Sequence, residues 1–242
     1  MKSRWSVLLA LAFLPLLLSA QDEASRYMRQ AGEAALLYRG HKAFVYPMAF
    51  NGTYFWEGPA FQSGDVVYNG KHYAGLSLNV DASRQDLLVK TPSGNADKVL
   101  SRDLVEQFTM GGHRFLNMQR IYGADAPSGY WEVLYDGQAK VVRQVQRSLR
   151  QDLDGSLSTQ MGYDIASYRP NVHQTFLYEE ALCYVTKDGQ VVPLRRRSQL
   201  MKFYKEHKRE ISRYISRSET SGRLDFATYC TKAVRFAETL SK

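Results

Sequence analysis

Residues 64–80 read "GDVVYNGKHYAGLSLNV", two runs rich in β-branched and aromatic residues on either side of Asn69-Gly70. Both central positions of the tightest hairpin turn need positive φ, which Asn and Gly accept at least cost, so the stretch predicts a β-hairpin. The same grammar recurs along the chain. "QDLLVKTPSGNADKVL" (85–100) turns at Pro-Ser-Gly-Asn, "EQFTMGGHRFLNM" (106–118) at Gly111-Gly112, and "GYWEVLYDGQAKVVRQVQ" (129–146) at Asp136-Gly137. "TFLYEEALCYVTKDGQVVPL" (175–194) turns at Asp188-Gly189.

Successive hairpins, with no helix long enough to cross between parallel strands, point to antiparallel pairing. The expected fold class is α+β, mainly antiparallel β arranged as a meander, a sandwich or a partly closed barrel. An N-terminal helix and a C-terminal helical tail complete it. Residues 152–171, "DLDGSLSTQMGYDIASYRPN", interrupt the strands and read as a long loop or a small excursion.

Working outward, residues 22–40 begin acidic, repeat apolar side chains at steps of three and four, and stop at Gly40, which predicts a short amphipathic helix. Residues 1–20, "MKSRWSVLLALAFLPLLLSA", have a basic start, an apolar centre and a small-residue exit. That is the pattern of a secretory signal peptide, with cleavage expected after Ala20. The apolar run is short for a bilayer span, and no later segment reaches ~18 uninterrupted apolar residues. The expected division is therefore 1–20 signal peptide, 21–42 N-terminal helix, 43–194 β-rich body and 195–242 basic helical tail. Localisation follows as exported: periplasmic or associated with an outer membrane, with an extracellular position also open.

A chain of 242 residues with 44% hydrophobic and 12% aromatic content can bury a substantial core. Its net charge of +8 is unevenly spread. Residues 195–242 hold 13 Lys and Arg against 5 Asp and Glu, whereas residues 21–194 hold 17 against 19. The basic character belongs to the tail. There Leu200, Phe203 or Tyr204, Ile211, Tyr214 and Ile215 recur on one side, with Ser198 as the expected N-cap. One helix, or two with a break near His207, would carry this apolar stripe beside a cationic one. Asp225 is placed to cap a last helix whose Phe226, Tyr229 or Cys230, Ala233, Phe236 and Leu240 share a face turned to the body.

Two cysteines, Cys183 and Cys230, are too few for a disulfide framework and lack metal-ligand spacing. Two alternatives stay open: a Cys183–Cys230 disulfide, or two small buried thiols that never meet. Packing of the last helix on the body would bring Cys230 towards the sheet that holds Cys183.

The segment "GTYFWEGPAFQSGDVVYNGKHYAGLSLNVDASRQDLLVK" (52–90), followed by "VEQFTMGGHRF", "YWEVLYDG" and a basic helical C-terminus, resembles a group of uncharacterised exported bacterial envelope proteins. The resemblance covers most of the chain after the signal and rests on strand-and-turn order. It implies the fold and the compartment and no activity.

The chemistry-bearing residues are sparse. No two of the five histidines stand three to five positions apart, so helical metal-ligand spacing is absent, and no metal or cofactor is expected. There is no GxSxG elbow, and both thiols sit in apparently apolar settings. "DLDGS" at 152 opens like a calcium loop, but the sixth position is Leu157 and the twelfth Tyr163. Glycosidases use two carboxylates across a cleft. Glu179 and Glu180 are adjacent and would point to opposite faces of a strand. Trp56-Glu57 and Trp131-Glu132 each set an acid beside a tryptophan, a combination suited to sugars; the competing reading makes the aromatics core and the acids solvated.

Two functional classes emerge. The favoured one is a non-catalytic, exported envelope protein acting as a binding or assembly module. Its docking surface would be Arg195, Arg196, Arg197, Lys202, Lys205, Arg209 and Arg213, and its partner an envelope protein or an anionic glycolipid surface. The alternative is a glycan-active hydrolase or glycan-binding protein using Trp56, Glu57, Trp131 and Glu132, with the tail a solvated helix face. Export argues against nucleic acid as the partner.

Overall fold

A computed structural model describes residues 26–28, 30–94, 96–153, 172–218 and 224–240. The expected signal segment and most of the 152–171 connection lie outside them. The described chain is α+β: ten antiparallel strands in one sheet, with a few helices. All five anticipated hairpins form. They are β1 (Gln62–Tyr68) with β2 (Lys71–Asp81), β3 (Asp86–Lys90) with β4 (Asp97–Val99), β5 (Val105–Met110) with β6 (His113–Asn117), β7 (Tyr130–Asp136) with β8 (Lys140–Leu153), and β9 (Val172–Val185) with β10 (Val191–Leu194). At the first turn Asn69 and Gly70 have φ of 52° and 71°, the positive values that selected those residue types.

The strand order is not a plain meander. It runs β4-β3-β2-β1-β5-β6-β7-β8-β9-β10, so β1 pairs with β5 and β4 is left at an edge. Gly64 permits this join, because a Cβ there would collide with the Thr109 carbonyl oxygen of β5. The ten strands make one sheet and not the two of a sandwich. It bends round on itself: the turn after β2 meets β8, where the Arg147 N–H donates to Ala82 O (3.2 Å) and Gln85 Nε2 donates to Val145 O (2.9 Å).

One face of the bend holds the main core. Val66, Leu78, Phe108 and Phe115 pack there with Leu37 and Trp56 from the N-terminal segment. That segment departs from the single helix expected. Residues 26–28, 30 and 31 are helical, but Gly32 has φ of 50° and the chain continues as the 3-10 turns Gly32–Ala34 and Leu36–Tyr38. The left-handed glycine ends the α-helical ladder.

The tail forms α2 (Arg197–Leu200), α3 (Lys208–Ser218) and α4 (Phe226–Leu240); a five-residue helix, α1 (Met118–Tyr122), precedes β7. The break near His207 is therefore real. Ser198 lies inside the first turn of α2 instead of capping it, since Arg196 occupies the N-cap. Asp225 does cap α4, accepting the Thr228 N–H at 2.8 Å. The second cluster joins tail to sheet: Leu200, Ile211, Ile215, Cys230, Ala233 and Val234 cover Val141, Leu182 and Tyr184.

The third cluster lies on the other face of β6 to β9, where Leu116, Trp131, Val142, Cys183 and Val185 pack with Met118 of α1. This separates the cysteines. Both are free and buried, and Cys183, between Leu182 and Tyr184 in sequence, faces away from the helix that carries Cys230. The Cys183–Cys230 disulfide does not form. Among the described residues no helix is long and apolar enough to cross a membrane.

Candidate functional site

Alternation along β8 puts Val141, Arg143, Val145 and Arg147 on the inner face, opposite Leu182, Glu180 and Tyr178 of β9. The result is a row of six polar side chains between the first and second core clusters. Glu132, 4% exposed, is its centre. Its Oε1 lies 2.7 Å from His113 Nδ1, and its Oε2 accepts Arg143 Nε at 3.0 Å and Nη2 at 2.6 Å. Arg143 Nη1 then reaches Glu180 Oε2 at 3.8 Å, which in turn accepts the Tyr178 hydroxyl at 2.9 Å. Arg147 lies over the Tyr178 ring at 4.9 Å and donates to the carbonyls of Phe55 and Trp56.

The two Arg143 N–H groups that converge on Oε2 offset the cost of burying the Glu132 carboxylate, and that carboxylate helps hold the Arg143 pKa above its ordinary value against the opposing effect of burial. Both Glu132 oxygens are engaged, which suits it to orienting His113 more than to proton transfer of its own. His113, its side chain 41% exposed, packs edge-on against Trp56 with ring centroids 4.9 Å apart. Tyr178 is 49% exposed.

This geometry divides the four residues named from sequence. Trp56 and Glu132 meet through His113. Glu57 stays exposed and accepts a 3.3 Å bond from Gln62, and Trp131 belongs to the opposite face, where its indole donates to Ser128 O at 3.0 Å. Neighbouring strand residues face opposite ways, so Trp131 and Glu132 do not share a site. Sequence reasoning missed His113, Arg143, Arg147 and Tyr178, and weighed Glu180 only as the neighbour of Glu179. The available signal was two arginines, Arg143 and Arg147, at core-facing positions of "VVRQVQR".

The cationic set also divides. Arg197 is half-buried, donates to Leu224 O at 2.5 Å and lies over the Tyr229 ring at 4.3 Å, so it clamps α2 to α4. Arg195, Arg196, Lys202, Lys205, Arg209 and Arg213 are exposed, and none forms an ion pair among the described residues. Lys202 and Lys205 border a cleft of roughly 610 Å³, together with Lys187, His207, Tyr184 and Tyr204. Within it the Tyr184 and Tyr204 hydroxyls share a 2.8 Å hydrogen bond, and burial, with that bond second, pushes the Tyr204 hydroxyl well above its ordinary pKa. Asp188 and Glu206 also border the cleft; Glu238 does too, but its carboxylate is bound to the body.

Among the described residues no cluster of His, Cys, Asp and Glu is arranged to hold a metal ion. No family model, curated protein or solved structure matches this chain.

Proposed function

We propose that this chain is an exported, non-catalytic binding or assembly module of a bacterial cell envelope, built on a partly closed β body. Its cationic tail surface is the docking face for an acidic envelope protein. The observation that carries this reading is the set of six exposed cations, Arg195, Arg196, Lys202, Lys205, Arg209 and Arg213, without ion-pair partners among the described residues. Arg209 and Arg213 stand on α3, and Arg195, Arg196, Lys202 and Lys205 on the short segments that flank α2, whose Leu200 is buried with Ile211 and Ile215 of α3 against the sheet. Such a surface raises association rates and gives binding that weakens with salt.

The test uses the chain with Arg195→Glu, Arg196→Glu, Lys202→Glu and Lys205→Glu, leaving the structural Arg197 in place. Native-cell cross-linking to an acidic envelope protein is expected in the parent and lost in the folded variant, with binding that declines between 50 and 300 mM salt on the order set by ionic screening. Unchanged capture by the variant defeats the proposal; capture transferred to anionic glycolipid alone assigns the surface to lipid instead.

A second reading has its own observation. Trp56, His113 and Glu132 adjoin on the inner face, and Tyr178 offers an exposed ring beside Arg147, which suits a glycan-binding or glycan-active site. Glycan arrays against Tyr178→Ala and His113→Ala separate the two readings.

A further inference from the structure

β9 spans Val172–Val185, but β10 covers only its last four residues, from Leu182 to Val185. At the other end Asn51 bridges to Thr175, donating to Gln174 O and accepting the Phe176 N–H. Between these two neighbours, residues 177–181 border no strand on the outer edge among the described residues, and all five are exposed.

In a strand the N–H and C=O of one residue point to the same edge, and the edge alternates. The hydrogen bonds of Gln174, Phe176 and Thr186 to groups outside the β8 ladder fix the parity: even-numbered residues face outward. Tyr178 and Glu180 therefore present N–H and C=O groups to the open edge. Pro193 adds to the selectivity of the position. It stands opposite Cys183, so its missing N–H lies on the outer side of β10, and an incoming strand finds fewer donors there than in the gap. Where β10 ends, a cleft of roughly 530 Å³ opens beside Glu180 and Ala181, with Trp131, Leu182, Leu194 and Phe226 among its walls.

We propose that this gap is a docking site for an extended peptide segment of a partner protein, one with Lys or Arg facing Glu179 and Glu180 and an apolar side chain seated in the cleft. Main-chain bonds to Tyr178 and Glu180 supply the attachment, and the cleft and the two carboxylates supply the selection. Charge complementarity favours a basic segment. It also disfavours a second copy, because antiparallel self-pairing centred on the gap sets Glu179 against Glu179 of the other molecule. Of the six cations of the tail surface only Arg195 borders this cleft; the main-chain groups and carboxylates of the gap belong to β9.

The experiment measures binding of the full mature chain to an array of octapeptides with two adjacent central Lys, one for each face of the strand, flanked by Val and Leu, beside matched sets with Glu for Lys and with alternate backbone amides N-methylated. The Lys set is expected to bind at least about tenfold more tightly than the Glu set, and N-methylation on the bonding edge to weaken it at least as much, as each change removes on the order of 1.4 kcal/mol or more. Glu180→Pro, which deletes one outward N–H and leaves the pairing with β8, should reproduce the loss; circular dichroism checks its fold, and the N-methylated set decides if it fails to fold. In hydrogen exchange the Tyr178 and Glu180 amides should exchange rapidly in the free protein and become protected in the complex. The proposal is overturned if Lys and Glu sets bind alike, if no octapeptide binds, if N-methylation has no effect, or if Glu180→Pro turns a dimer into a monomer in sedimentation.

Discussion

Glu238, in the last turn of α4, accepts the Ala139 N–H of the β7–β8 turn at 2.8 Å, joining residues 99 positions apart. The same carboxylate accepts the Tyr135 hydroxyl at 2.8 Å and the Gln138 N–H at 3.2 Å. A single acid in a basic tail thus closes the β7–β8 turn.

Removing it leaves two turn amides and a phenol without their acceptor. Glu238→Ala should lower the unfolding free energy by about 2 kcal/mol, in the range for hydrogen bonds to a charged group. Urea denaturation gives the loss, and limited proteolysis should cut the tail before the body. Stability equal to that of the parent would show that the tail is held by the apolar face of α4 alone.

The pair of Glu132 and Arg143 makes a sharper case, because its carboxylate is nearly out of water. Glu132→Gln should cost about 3 kcal/mol by leaving the guanidinium only its longer contact with Glu180, whereas Glu132→Gln combined with Arg143→Met should recover part of that loss. A double-mutant cycle measured by chemical denaturation checks it. Additive losses would remove the pair as a coupled unit.

Asp81 gives the pH dependence a definite sign. Burial raises its pKa from 3.8 to about 6, against the opposing effect of N–H groups donated by Arg84 and Ser83. A carboxyl whose folded pKa is raised contributes stability that is fully present below about pH 4 and is lost as pH rises through about 6. The difference in stability between Asp81→Asn and the parent should therefore grow across that window, reaching about 2 kcal/mol in favour of the variant at pH 7. Thermal melts from pH 4 to pH 7 measure it. A constant difference would contradict the assignment.

Burial pushes both the Cys183 and Cys230 thiols up to about 12, and they lie on opposite faces of the sheet. Neither should react with iodoacetamide at pH 8 in the folded chain, and both should react in urea. Mass spectrometry of the labelled protein reads the count. Failure to label in urea without a reductant would reveal a disulfide.

Fold and site differ in how far the sequence carries them, and the difference is one of range. The hairpins were legible because Asn69-Gly70 and Gly111-Gly112 act within a few residues: positive φ at the turn and alternating side chains beside it fix a turn and its two strands without reference to the rest of the chain. The Asp225 cap and the break near His207 were legible for the same reason. Nothing local, however, tells β1 to pair with β5 instead of β4 with β5; that join depends on Gly64 meeting Thr109 across the sheet, and on the bend that brings Ala82 to Arg147. Nor could adjacency reveal the candidate site. Trp131 and Glu132 are neighbours in sequence and face opposite ways, whereas Glu132, His113, Arg143 and Glu180 come from four strands and meet only when their registers are set. The sequence by itself determined the hairpins, the Asp225 cap and the basic tail. Tertiary structure alone decided which charges pair and which stay exposed, because those contacts are fixed by strand order, pleat and closure, all properties of the assembled sheet.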